Sequence, residues 1–214
     1  LATNYHTIKD ADRIFIDLFK LNKEDNIPIT DNKIKVEIDR KFFTNFQSEE
    51  LDVAFMPIAP ILQNLSEKNM DIFYKAITPN LIYSLEQAEK LGAIEEVVFF
   101  GYPYNLQDKS KNLPIIRRGI TATPVWSNFR EDPKNETFLI DAGVFPGSNG
   151  SPVFIFNQGS YPSGVNINVG IRVVFLGMIK ISMQNSGNNQ FIGLGEVIKA
   201  NVILEFIKSK LNIT

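Results

Sequence analysis

The chain has one histidine, His6, which closes the run Thr3-Asn4-Tyr5-His6. Histidine is the side chain whose ordinary pKa suits proton transfer near neutrality, although a lone one is as readily an incidental surface or packed residue. The acid that stands out is Asp52, set among apolar neighbours in Leu51-Asp52-Val53-Ala54-Phe55. Read as an acid inside an apolar strand, it needs a partner, because ionised aspartate is rarely buried alone. A strand-edge carboxylate facing solvent, or one holding a structural hydrogen bond, would account for it as well. The third place is Pro146-Gly147-Ser148-Asn149-Gly150-Ser151-Pro152-Val153-Phe154. Its glycines permit backbone shapes that other residues resist. Such a turn can aim successive N–H groups into one concavity, as an oxyanion hole requires. Taken alone it is also a common β-turn composition.

The elements that must position these residues are mostly strands. Short apolar, β-branched or aromatic runs alternate with Gly, Pro, Asn and Asp clusters. Strands are expected at Arg13–Phe19, Lys33–Asp39, Leu51–Pro57, Glu96–Phe100, Ile115–Thr123 and Thr137–Asp141, then at Ser151–Phe156, Ile171–Ile181 and Phe191–Ile198. Many short strands with long turns indicate a sandwich or barrel. Two segments read as helices. Ser84–Leu91 has Ser84 as its cap and Gly92 as its stop. Lys199–Leu211 sets Val202, Ile203, Phe206, Ile207 and Leu211 on one face, a core-packing stripe. The segments Asn105–Asn112, Asn128–Asn135 and Gln158–Gly170 read as polar surface loops. A boundary near Thr78-Pro79 divides the chain into 1–78 and 79–214.

Composition narrows the function classes. The 214 residues suffice for one large domain or two small barrels. A net charge of −2, with no basic run, argues against nucleic acid or an anionic membrane as partner. The absence of cysteine excludes disulfides and thiolate metal sites. No metal or cofactor is expected. No apolar run has the roughly 18–20 residues of a membrane helix, and Leu1-Ala2-Thr3-Asn4 lacks the features of a signal peptide. These point to a cytoplasmic rather than a secreted protein. Oligomeric state is not indicated.

The order His, Asp, glycine-rich turn gives the three places a joint meaning. The chain resembles the trypsin-like (chymotrypsin-fold) serine peptidases, most closely their disulfide-free bacterial branch. Thr3-Asn4-Tyr5-His6 looks like the family's TNxH, Asp52-Val53-Ala54 like its DxA, and Gly147–Pro152 like its GxSGSP. Phe100-Gly101-Tyr102-Pro103, Arg118-Gly119-Ile120 and Gly193-Leu194-Gly195 are further matches. The resemblance implies an all-β fold of two antiparallel six-stranded barrels, with the site in the cleft between them and a helix at the C-terminus. In the family a strand pair precedes the histidine motif, so the N-terminal barrel is expected to be incomplete.

By that resemblance His6 is the general base, Asp52 orients it, and the N–H groups of Gly147 and Asn149 form the oxyanion hole. The departure is at the nucleophile, where Asn149 stands in place of serine. A carboxamide has no ionisable proton to surrender and no useful nucleophilic lone pair. Ser148 and Ser151 flank the position, but each would have to leave its own place in the turn to act. Asp141–Pro146, with Gly143, Val144 and Phe145, would line the primary pocket. Gly143 lies where a trypsin-type enzyme carries its pocket-floor acid, so a preference for Lys or Arg is not expected. Gly177–Ser182, with Lys180, Ile181 and Ser182, would pair with an extended peptide by β-addition. The expected partner is therefore a peptide or protein substrate. Three readings follow: an endopeptidase inactivated at position 149, a natural pseudopeptidase that binds peptides or regulates, and a β-barrel interaction domain without cleft function.

Overall fold

The computed structural model of the protein describes residues 1–109, 111, 113–132, 135–163 and 166–213, residue 163 by its backbone only. The chain divides into two compact units, Leu1–Ala76 with Asp108–Leu113, and Ile77–Gln107 with Pro114–Thr214.

In the first unit, alternation of apolar and polar residues builds a long hairpin. β2 (Arg13–Asn22) pairs antiparallel with β3 (Ile27–Asp39), so that Ile14 faces Ile38 and Ile16 faces Val36. The cross-strand pairs put one apolar face on the core, the unit of sheet stabilisation. A second, short sheet is made by β1 (Ala2–Thr3), β4 (Gln47–Ser48) and β5 (Val53–Phe55), with β5 in the middle. β6 (Ile72–Phe73) joins the hairpin along β2. Among its described residues the unit thus has six strands, in two three-stranded sheets. Ile8, Ile38, Phe43, Ala54 and Met56 are buried together, with Ile14, Ile16, Val36 and Ile61 packed on them. Two helices escaped the sequence reading: the single turn α1 (Tyr5–Ile8) and α2 (Ala59–Glu67).

The second unit contains a closed six-stranded barrel. After α3 (Leu85–Glu89) come β7 (Glu96–Gly101), β8 (Ile115–Thr121), β9 (Thr137–Asp141), β10 (Pro152–Ser163), β11 (Asn166–Gln184) and β12 (Phe191–Lys199). They are hydrogen-bonded in the ring order β10-β11-β12-β9-β8-β7. Inward positions recur every second residue, as a pleated wall demands: Val97 and Phe99, Phe138 and Ile140, Val153 and Ile155, Val174 and Leu176. α4 (Ala200–Leu211) buries Ala200, Ile203 and Phe206, while Leu211 of the expected stripe is exposed. Ser84 caps α3 through a reciprocal capping box with Gln87. α3 ends at Glu89, before the expected stop at Gly92.

The architecture is therefore the mostly-β class expected, with a six-stranded barrel and a C-terminal helix. Two local expectations need correction. Gln158–Gly170 is not a loop: β10 and β11 run on through it as a paired ladder from Gln158↔Ile171 to Ser163↔Asn166. Gly159 and Gly170 face each other in that ladder, so neither strand loses a cross-strand side chain opposite a large partner. Gly164 of that segment lies outside the described residues, as do Ser110, Asn112, Pro133 and Lys134 of the other two. Asp52 is not inside a strand but ends the turn that precedes β5. No described helix is long and apolar enough to cross a membrane.

Candidate functional site

His6 and Asp52 meet in the first unit because of strand register. β1 pairs with β5 so that Thr3 faces Ala54. Asn4 then starts α1 in an extended conformation, and His6 falls on that helix opposite the turn ending at Asp52. Asp52 anchors five contacts. Its Oδ1 accepts from the His6 N–H at 2.9 Å, and its Oδ2 lies 2.7 Å from His6 Nδ1. Its carbonyl oxygen accepts from the Tyr5 N–H and from Asn4 Nδ2, each at 3.2 Å. Its own N–H closes the turn on Glu49 O at 3.2 Å. The left-handed backbone this needs, φ 57°, is one that aspartate tolerates better than most residues.

The geometry fixes a tautomer. A carboxylate facing Nδ1 favours the proton on that nitrogen, which leaves Nε2 as the acceptor of the neutral ring. The Asp52 side chain is only 10% exposed against 39% for His6. The acid is thus buried and held while the imidazole keeps access to solvent. That is the arrangement a general base and its orienting acid require.

The turn at Asn149 belongs wholly to the second unit and is built from backbone. Ser148 N–H donates to Phe145 O at 3.0 Å, and Ser151 N–H to Ser148 O at 3.1 Å. Gly150 N–H reaches Ile179 O, and Ile179 N–H returns to Ser151 O, both at 2.9 Å. Gly147 has φ 89°, and a Cβ there would overlap the Tyr102 carbonyl oxygen. Only glycine fits that close approach. The Gly147 N–H takes part in none of these turn bonds. Asn149 is half-buried at the apex. Ser148 is fully buried, its hydroxyl included, and Ser151 nearly so, with its hydroxyl against Gly101.

The remaining expected residues lie beside this turn. Gly143, Val144 and Phe145 lead into it from β9. Val144 is buried in the barrel core and its N–H donates to Gly193 O at 2.9 Å. The Phe145 ring stacks on Tyr104, centroids 5.6 Å apart. On β11, the ladder with β10 ends at Met178↔Pro152, whereas the ladder with β12 continues through Ile181 and Ser182. Lys180–Ser182 is therefore a stretch of strand whose second side is not taken up by β10. Lys180 Nζ donates to Asn135 Oδ1 at 2.7 Å, Ile181 is exposed, and Ser182 is buried.

Two residues were missed. Arg117, on β8, lies against Gly143, whose added Cβ would overlap Nη2. Its guanidinium is 5.6 Å from the Phe145 ring. The signal was present: two consecutive arginines in a strand, Arg117 and Arg118, must point to opposite faces. Asn4 is the second, fully buried and clamped to Asp52. Among the described residues no group of three or more His, Cys, Asp or Glu side chains could hold a metal ion.

No protein-family model matches the chain, and no curated protein matches it. Solved structures do. The HtrA-type protease AlgW with decapeptide aligns with a TM-score of 0.55 at 15% identity, covering 99% of this chain and 48% of that one. A substituted form of AlgW with decapeptide aligns with a TM-score of 0.55 at 13% identity, covering 99% and 47%. The chain thus spans about half the length of these solved chains. The likeness shows the fold, that of trypsin-like proteases.

Proposed function

We propose that this chain is a trypsin-like serine endopeptidase domain whose nucleophile position is occupied by Asn149. It recognises extended peptide and cleaves it little or not at all. The observation that carries the reading is the double hydrogen bond of Asp52 to the His6 N–H and Nδ1, at 2.9 and 2.7 Å. A surface histidine that met an acid by chance would not have both carboxylate oxygens committed to it.

In this reading Asp52 fixes the imidazole and stabilises the imidazolium, and His6 Nε2 is the proton acceptor. The N–H groups of Gly147 and Asn149 are the oxyanion donors. The Asn149 carboxamide supplies neither an acidic proton nor a nucleophile. What persists without a triad member is roughly 10³–10⁴-fold over water, from the oxyanion hole and binding. Asp141–Pro146 lines the primary pocket, and Lys180–Ser182 pairs with the substrate backbone. The decapeptide in the AlgW structures supports a peptide as ligand.

The test is Asn149→Ser. It is expected to gain labelling by a fluorophosphonate probe, and the double variant Asn149→Ser/His6→Ala to lose it. Equal labelling of the two would sink the assignment. A natural pseudopeptidase is the second reading, favoured by asparagine in place of serine at position 149. It predicts peptide binding by both forms and cleavage by neither.

A further inference from the structure

Arg118 and Arg117 are neighbours on β8 with opposite fates. Arg118 points outward and pairs with Glu96 on the adjacent strand at 2.6 Å. Arg117 shares the inward side of β8 with Ile115, Gly119 and Thr121 and is half-buried. The two most deeply buried basic residues of this unit have acids. Arg172 pairs with Glu95 at 2.5 Å, the two side chains 9% and 6% exposed. Lys199 lies 3.7 Å from Glu136 and donates to Asn128. Arg117 has no carboxylate within pairing distance among the described residues; its guanidinium lies over the face of Phe145. An inward guanidinium without a counter-charge is unfavourable. It keeps five N–H donors in a fork shaped for a carboxylate.

Its place gives this vacancy of charge a use. The guanidinium rests on Gly143, and Gly193 stands opposite, where an added Cβ would lie 3.7 Å from the Gly143 Cα. Two facing glycines leave the floor of the wall without side chains of its own. The only long polar group entering there from β8 is Arg117. We propose that Arg117 is a specificity-determining residue that selects an acidic side chain, Asp or Glu, at the peptide residue seated against Gly143 and Phe145. This rests on the peptidase reading, in which Asp141–Pro146 lines the primary pocket and the seated residue precedes the scissile bond. A carboxylate there would meet the guanidinium in a two-pronged, charge-assisted pair. Phe145 would hold the guanidinium plane from one side.

The experiment separates the two layers. Fluorophosphonate labelling of Asn149→Ser, abolished by His6→Ala, reports on the peptidase reading alone. On unlabelled Asn149→Ser enzyme, kcat/KM is compared for chromogenic peptides differing only in Glu, Leu or Lys before the scissile bond. Glu is expected to exceed Leu by about tenfold or more. Arg117→Ala should collapse that ratio to near one, Arg117→Lys should keep part of it, and Arg117→Glu should turn it toward Lys. Because both substrates meet the same enzyme, a loss of folded protein does not move the ratio. A Leu or Lys preference in the Arg117 form, or a Glu preference that survives Arg117→Ala, overturns the proposal and leaves the labelling result standing. If Asn149→Ser does not label, the unaltered chain is used. Anisotropy of fluorescent decapeptides with a central Glu or Leu is measured with Arg117 and with Arg117→Ala. Preference for Glu that disappears in the variant supports the proposal, and equal binding of the two peptides refutes it.

Discussion

His6–Asp52 and the Asn149 turn achieve the same end, a fixed local geometry, by opposite means. The first is held by side chains: both Asp52 oxygens and the Asn4 amide are spent on it. The second is held by main chain, through the bonds of Ser148, Gly150 and Ser151 and a glycine pressed against Tyr102. The difference teaches where chemistry can be lost cheaply. In the turn, the bonds of Ser148, Gly150 and Ser151 run from main chain to main chain, so serine and asparagine can share one backbone. In the other half, the side chains are themselves the scaffold, and removing chemistry there removes structure.

The largest effect expected from this contrast is kinetic. Asn149→Ser should raise peptide hydrolysis by roughly 10³-fold or more without changing the unfolding midpoint. In that background Asp52→Asn should lower kcat by roughly 10⁴-fold, because an amide cannot hold the same tautomer. Steady-state assays beside thermal melts read both. A melt shifted strongly by Asn149→Ser would break the idea that the turn is indifferent to its apex side chain.

Next in size is the backbone of the turn. Gly147→Val should destabilise by about 3 kcal/mol, combining left-handed strain with a clash against a carbonyl that cannot rotate away. Urea unfolding measures it; a loss within 0.5 kcal/mol, about the ordinary surface range, would mean the turn has slack. Asp52→Ala follows, at about 2 kcal/mol, since two donors lose a buried acceptor. Asp52→Ala leaving stability unchanged would show that the side-chain half is not a scaffold after all.

The smallest effect concerns pH. Burial lowers the Lys199 pKa from its ordinary 10.5, opposed by Glu136. Between the folded value and 10.5 the unfolded chain therefore binds more protons, so the contribution of Lys199 to stability rises with pH across that window. Lys199→Met should flatten the alkaline part of a stability profile measured by denaturant midpoints. An unchanged slope would assign the rise to other groups.

What could be read beforehand followed the strength of local signals. Thr137–Asp141 emerges residue for residue as β9, and Ser84 with Gln87 announces α3. α2 was legible and overlooked: Ile58, Ile61, Leu62 and Leu65 keep helical spacing, masked by Pro57 and Pro60. α1 was not legible, because four residues show no period. The hairpin at Gln158–Gly170 was hidden by Gly159 and Pro162, residues that usually punctuate turns; here Pro162 sits on a stretch of β10 that no strand besides β11 borders. At the site, residue types pointed to His6, Asp52 and the turn. The orientation of Arg117 could not be chosen over that of Arg118 without knowing which face of β8 was the inside.

The left-handed backbone at Asp52 has a consequence for mutational scanning. Only glycine, asparagine and aspartate enter that conformation readily, and only aspartate also supplies both carboxylate oxygens. A library sorted for abundance alone, with no assay of cleavage, should therefore already deplete nearly every substitution at position 52. Intolerance there is a signature of folding first, and a screen for catalysis would have to normalise it away before assigning the residue to chemistry.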